Sequence, residues 1–354
     1  MSDGDGFERW VVVLAGGVGS RFWPVSTAQR PKQLLPLSSS RPLIVETLER
    51  AFNLVPQTNV LILSGERLRP SLEDLTDLPS EQLLLEPIAK GTAPALAWAA
   101  HEILARAERP ENAVMASLHS DHVLGPTDRF VATMERALGA AGRLDRLLTI
   151  GVRPTRAETG YGYVEVGEPL EEGVFEVRRF VEKPDRQTAE RYVAHGGYLW
   201  NSGIFAWRPQ VLLAQISQHT PELAQQFDRI KEGDVAGFFN SVPTLTIDHA
   251  VMERSSNIAM VESAFDWDDV GAWAGLKRIR ELDDLGNVLL GNVHVLDCKG
   301  CVLWGEDGPI VGFGLEDLVI ARASGITFVA PLTRANDLKD LLAKLPESLR
   351  GGDG

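Results

Sequence analysis

The sequence predicts an α/β protein. It should have a Rossmann-like, mixed but mainly parallel sheet with helices on both faces, and a small C-terminal β-rich, β-helix-like appendage. Three observations lead there. Short apolar runs alternate with amphipathic helical stretches through the first half of the 354 residues. Residues 161–182 then switch to period-two alternation. After about Leu285, short β runs recur with turn residues every 6–10 positions.

In chain order, WVVVLA (10–15), NVLILS (59–64), QLLLEP (82–87), AVMASL (113–118) and LLTIGV (147–152) are runs of strand length without helical periodicity. Between them, LIVETLERAF (43–52), APALAWAAHEILARA (93–107) and RFVATMERALGAA (129–141) place apolar residues at i, i+3 and i+4. Strand–helix alternation implies βαβ crossovers, hence a mainly parallel sheet covered on both faces. YGYVEV and VFEVRRFVEKP read as antiparallel strands, with further helices near 185–195, 208–231 and 270–281. These divisions give a large α/β domain over 1–284 and an appendage over 285–354 that ends in the helix NDLKDLLAKL.

The chain is 44% hydrophobic and 24% charged, an ordinary globular composition. A net charge of -14 argues against nucleic-acid partners and anionic membranes. No apolar run approaches the ~20 residues that span a bilayer. The acidic start, MSDGDGFER, lacks a signal peptide's apolar stretch, and only two cysteines are present. Together these lead us to expect a cytoplasmic protein.

Against that acidity one window is unusual. From Trp10 to Val45 there is no Asp or Glu, although 49 acids in 354 residues would place about five there. The same window holds Arg21, Arg30, Lys32 and Arg41 around Gly16-Gly17-Val18-Gly19-Ser20-Arg21 and Pro31-Lys32-Gln33. Neither GxxxxGK[ST] nor GxGxxG fits, because Phe22 stands where each requires another residue. Bare glycine backbone beside Arg and Lys nevertheless suits phosphate oxygens, so a nucleoside triphosphate is the expected ligand.

This stretch and six later landmarks resemble the sugar-1-phosphate nucleotidyltransferases. The landmarks are LEPIAKGTAPA (85–95), SLHSDHVL (117–124), TGYGYVEV (159–166), FVEKP (180–184), WNSGIF (200–205) and DWDDVGAW (266–273). GLEDLVIA in the appendage also matches. FWPVS and RPKQLL point to the guanylyl branch, so the resemblance implies GTP and mannose 1-phosphate as substrates and Mg²⁺ as cofactor. A thymidylyl- or uridylyltransferase, or an idle sugar-nucleotide sensor on the same fold, are the alternatives. Presence of both candidate metal carboxylates and the basic contacts speaks against idleness.

The residues agree with that chemistry. Asp121 follows an apolar run at a strand's carboxyl end, where open α/β sheets place ligands. His119 and His122 beside it lack the cysteines or matched pair of a zinc site. Magnesium takes one or two carboxylates, and Asp266, Asp268 and Asp269 compete for the second place on spacing alone. The family's W-x-D-[VI]-G pattern implies Asp269 as Asp121's partner, with Asp268 a bystander. The resemblance assigns Gly16, Gly17, Gly19, Ser20, Arg21, Lys32, Glu86 and Thr92 to the nucleotide. It assigns Gly162, Glu182, Lys183 and Asn201 to the sugar phosphate, with Arg21, Lys32 and Lys183 catalytic.

Two departures accompany it. Lys90-Gly91-Thr92 stands where relatives read R-N-T, and a cupin-like isomerase domain of longer relatives is not matched, so isomerase activity is not expected. A homodimer is expected from the shortness of the β appendage. Cys298 and Cys301, a lone CxxC, are expected to pack inward rather than hold zinc.

Overall fold

The computed structural model describes residues 6–17 and 19–350. Its strands, in chain order, are β1 (Glu8–Leu14), β2 (Val60–Gly65), β3 (Leu83–Glu86), β4 (Ala113–His119), β5 (Val123–Gly125), β6 (Leu147–Val152), β7 (Gly162–Glu171), β8 (Val174–Val181), β9 (Tyr198–Trp207), β10 (Ile258–Glu262), β11 (Asp266–Asp268), β12 (Val288–Leu296), β13 (Val302–Phe313), β14 (Leu318–Ala323) and β15 (Ile326–Pro331). By contacts the chain forms two compact units. The first gathers residues 1–16, 47–119 and 124–267, and the second residues 17–46, 120–123 and 268–354. The second unit thus takes in residues 17–46 as well as the chain beyond 285.

The first unit holds a nine-stranded sheet in the order β3-β2-β1-β4-β9-β6-β10-β8-β7. The apolar runs became strands where expected. The wholly buried Val11, Val12 and Val13 of β1 lie between β2 and β4, both parallel to it. Helices Leu43–Phe52, Thr92–Arg106 and Thr127–Leu144 also follow the periodicity.

The sheet is mixed, but "mainly parallel" does not hold. Among the described residues four strand pairings are parallel and five antiparallel. The cause is β9, which inserts between β4 and β6 and runs antiparallel to both and to β7. YLWNSGIFAW is buried along nearly its whole length, and its central polar residues disguise a strand. Gly203, at φ 73°, adjoins a register shift against β6. Such an irregularity re-aims neighbouring side chains, here Asn201. The region 208–231 is three short helices rather than one, broken where Pro221 starts a new turn.

In the second unit β12, β13 and β14 pair in parallel in consecutive order, and β15 turns back antiparallel to β14. Val288 stacks on Val302, and Val302 on Val319. The unit's core joins distant segments. Phe22, Trp23, Leu35 and Leu37 pack in one cluster with Trp273, Val302, Trp304 and Val319. Burial of so much aromatic and aliphatic surface, at roughly 25 cal/mol per Å², fixes the glycine-loop segment to this unit.

Candidate active site

Of the nucleotide-side residues, Gly17, Gly19, Ser20, Arg21 and Lys32 belong to the second unit. β1 ends at Leu14, after which Gly16 and Gly17 are exposed, with nothing within 4 Å of where a Cβ would stand. Val18 lies outside the described residues, as does the side chain of Ser20, whose backbone opens a short 3-10 turn. Gly17 and Gly19 have φ of 93° and 60°, a region that glycine alone enters without strain. At Gly19 a Cβ would run into the Cβ of Lys32, so the loop backbone rests directly on that lysine. The Gly19 carbonyl accepts the Ser26 hydroxyl at 2.7 Å.

Lys32 is only 6% exposed. Its ammonium donates to Asp121 Oδ2 at 2.9 Å and to the main-chain carbonyl of Asp269. One lysine therefore ties together the loop and the segments carrying both candidate metal carboxylates. Arg21, exposed, lies with Nη1 3.4 Å from the Gly271 carbonyl. Arg30, from the same basic window, instead pairs with Glu306 of β13.

The DWDDVG turn settles what its acids do. Asp268 is buried, and its two oxygens take Arg278 Nε and Nη2 at 2.5 and 2.8 Å. Oδ1 also accepts the Val270 N–H at 2.7 Å. Val270 sits at φ 44°, an outlying conformation for a β-branched residue. Asp268 is thus no bystander, because it holds the turn. Asp269 Oδ1 accepts the Gly271 N–H at 3.1 Å, and His122 Nε2 lies 3.9 Å from Asp121 Oδ1.

The sugar-phosphate candidates collect in the first unit. Gly162 pairs with Asn201 across β7 and β9. A Cβ at Gly162 would lie 2.6 Å from Glu182 Oε2 and 3.6 Å from Asn201 Nδ2. Only glycine lets the Glu182 carboxylate and the Asn201 side chain press this closely on the β7 backbone. Glu182, mostly buried, is ion-paired with Lys183, whose exposed side chain rises from a φ of 47°. Asn201 is already engaged: Oδ1 accepts the Thr149 hydroxyl at 2.8 Å and the Gly203 N–H at 3.3 Å, and Nδ2 donates to Asp248 Oδ1 at 3.1 Å. It keeps one N–H, not the free donor and acceptor expected from sequence.

Glu86 and Thr92 lie in this unit too. Burial pushes the Glu86 carboxyl up to about 7, against a hydrogen bond from the Lys90 backbone. The Thr92 hydroxyl accepts the Ile247 N–H at 2.8 Å, and Lys90 Nζ donates to the Val242 carbonyl at 3.0 Å. Gly91, at φ 83°, abuts the Leu245 carbonyl, so this backbone has no room for the asparagine of R-N-T.

Sequence reasoning missed Asp248. It opens a π-helical turn, Asp248–Met252, a form frequent at functional sites. Burial first, and Glu182 second, raise its carboxyl to about 6, with Lys183 and His249 opposing. A lone Asp within TIDHAVME carries no spacing signal. The Arg156 guanidinium lies 4.9 Å from the Trp200 ring centre and 5.6 Å from that of Tyr161.

A mixed α/β sheet whose first strand feeds a glycine-rich loop and a buried lysine defines a nucleotide-handling α/β protein. Residues 10–284 match the nucleotidyl transferase family, and the chain belongs to that family. It is 34% identical to the alginate biosynthesis protein AlgA of Pseudomonas putida, over 96% of this chain and 72% of that one. It is 32% identical to mannose-1-phosphate guanylyltransferase of Klebsiella pneumoniae, over 96% of this chain and 74% of the other. In structure it is similar to a Thermus thermophilus protein described as a mannose-1-phosphate geranyltransferase, with a TM-score of 0.88, 32% identity, and coverage of 95% and 98%.

Proposed function

We propose that this protein transfers GMP from GTP to α-D-mannose 1-phosphate, giving GDP-mannose and diphosphate. A phosphate oxygen of the sugar attacks the α-phosphorus in line. The bond from that phosphorus to the oxygen bridging it to the β-phosphate breaks, and diphosphate carries the electron pair away. The attacking oxygen is already anionic at neutral pH, so positioning and charge neutralisation do most of the work. The observation that carries this reading is the convergence of Gly19, Lys32, Asp121 and Asp269.

In this reading Arg21, Lys32 and the amides around Gly16, Gly17, Gly19 and Ser20 receive the triphosphate. Lys32 retains a third N–H for it. Glu86 and Thr92 face the nucleoside, Lys183 holds the attacking phosphate, and Gly162, Glu182 and Asn201 hold the sugar. Asp121 Oδ2 and the Asp269 main-chain carbonyl meet at the Lys32 ammonium, and oxygen donors of this kind suit a hard divalent cation. Asp121 and Asp269 would hold Mg²⁺, which supplies charge neutralisation at phosphate oxygens when bound.

Further parts of the proposal are a catalytic domain over 1–284, a β-helix-like appendage over 285–354, a homodimer and a cytoplasmic location. Exposed Leu296, Val311 and Phe313 in the β-rich region favour a second copy there. Two free buried cysteines favour a reducing compartment. No helix among the described residues is long and apolar enough to cross a membrane. Four nucleoside triphosphates assayed against mannose and glucose 1-phosphates, read by diphosphate release, test the reading. GTP with mannose 1-phosphate should exceed every other pair, and preference for another pair would overturn it.

A further inference from the structure

We propose that Asp248 is a positioning residue of the sugar-phosphate subsite. Acting through Asn201, it holds one amide N–H toward the bare Cα of Gly162, where a hexose hydroxyl accepts it. The inference rests on the sugar-phosphate reading given above and adds a residue that this reading does not contain.

An asparagine side chain offers two acceptor lone pairs and two N–H donors. At Asn201 the Thr149 hydroxyl and the Gly203 N–H fill the acceptor, at 2.8 and 3.3 Å. Asp248 Oδ1 takes one donor at 3.1 Å. With three of four positions fixed by β6, β9 and the π-helical turn, the amide cannot flip, and the fourth is the remaining N–H. Asn201 Nδ2 and Glu182 Oε2 stand 3.6 and 2.6 Å from the point that a Cβ at residue 162 would occupy. A donor and an acceptor thus lie side by side against the bare Cα of Gly162. A hydroxyl is the group that satisfies both at once, accepting from Asn201 and donating to Glu182.

Asp248 strengthens this device while it is ionised, since a carboxylate partner makes the Asn201 hydrogen bond charge-assisted. The charged groups around it are Glu182 and Lys183 at the end of β8, and His249 and Glu253 on its own turn. Glu253 bonds His249 Nδ1 at 2.7 Å with one oxygen and accepts the Glu182 N–H at 3.1 Å with the other. Burial and Glu182 raise the Asp248 carboxyl to about 6, so it is anionic at pH 7.5 and protonated at pH 5.

Asp248→Asn keeps an acceptor for Asn201 but removes the charge and its titration. Binding of mannose 1-phosphate to the wild type, Asp248→Asn and Asp248→Ala is measured by calorimetry at pH 5 and 7.5, with GTP binding and thermal unfolding alongside. At pH 7.5 Asp248→Asn should weaken sugar-phosphate binding about tenfold, and Asp248→Ala more, with GTP affinity unchanged. The wild-type-to-Asn ratio, in which the ligand's own phosphate titration cancels, should fall toward one at pH 5. A ratio within twofold at pH 7.5, or one that is flat with pH, overturns the inference. Asp248→Asn decides this by itself even where Asp248→Ala does not fold. If the wild type itself does not bind the sugar phosphate, the proposed function falls and this inference falls with it.

Discussion

Arg278 grips both carboxylate oxygens of Asp268, Nε at 2.5 Å and Nη2 at 2.8 Å, while Asp269 next to it turns its Oδ1 to the Gly271 N–H. Adjacent acids in one motif therefore carry different duties. Asp268→Asn should destabilise the fold by about 2 kcal/mol, since a part-buried arginine partner loses its counter-charge. Asp269→Asn should leave the melting temperature near wild type and reduce diphosphate release steeply. Thermal unfolding beside the activity assay separates the two. Equal loss of stability in both variants would refute the division. Exposed Asp266 is the better neutral control.

Arg21 and Lys32 should likewise separate. Exposed Arg21 contributes little to folding, so Arg21→Ala should keep its melting temperature while turnover falls roughly 10–150-fold. Lys32→Ala removes a buried cation that neutralises Asp121, so it should lose both stability and activity. A Lys32→Ala protein as stable as wild type would show that Asp121 finds its counter-charge elsewhere.

Gly91→Asn would restore the asparagine of R-N-T. With φ at 83° and the Leu245 carbonyl in the way, it should destabilise by about 1–3 kcal/mol instead of improving nucleotide binding. Denaturant midpoints and GTP affinity measured together decide the matter.

Glu86 gives a pH signature. Its carboxyl is raised in the folded state to about 7, from an ordinary value near 4.5. The native state therefore binds the extra proton, and this group's contribution to stability falls as pH rises from about 4.5 through 7. Glu86→Gln removes that titration. It should gain about 3 kcal/mol relative to wild type at pH 8 and almost nothing at pH 4.5, read from urea unfolding. A pH-independent difference would contradict the assignment.

Much of this was legible beforehand because buried parallel strands are written as unbroken apolar runs, as at Val11–Val13 and Leu61–Leu63. β9 was not, because its Asn201 and Ser202 are satisfied inside the sheet by Thr149 and the Ile150 carbonyl, an arrangement no local pattern announces. The acid-free window was legible, but which of its cations serve the loop was not. Arg30 and Lys32 differ by two positions, yet one pairs with Glu306 and the other with Asp121. Nor could spacing separate Asp268 from Asp269, since the difference lies in Arg278, whose partner only the folded turn reveals.

The clustering of Phe22, Trp23 and Leu35 with Trp273, Trp304 and Val319 bears on how the chain is made. During synthesis the early members emerge long before their partners exist. At ordinary elongation rates the delay is on the order of ten seconds or more. For that interval a nascent chain displays two large aromatic side chains with no core to enter. A ribosome-bound chain stopped before residue 268 should therefore recruit holdase chaperones through the segment 17–46, and release them once the final third has emerged.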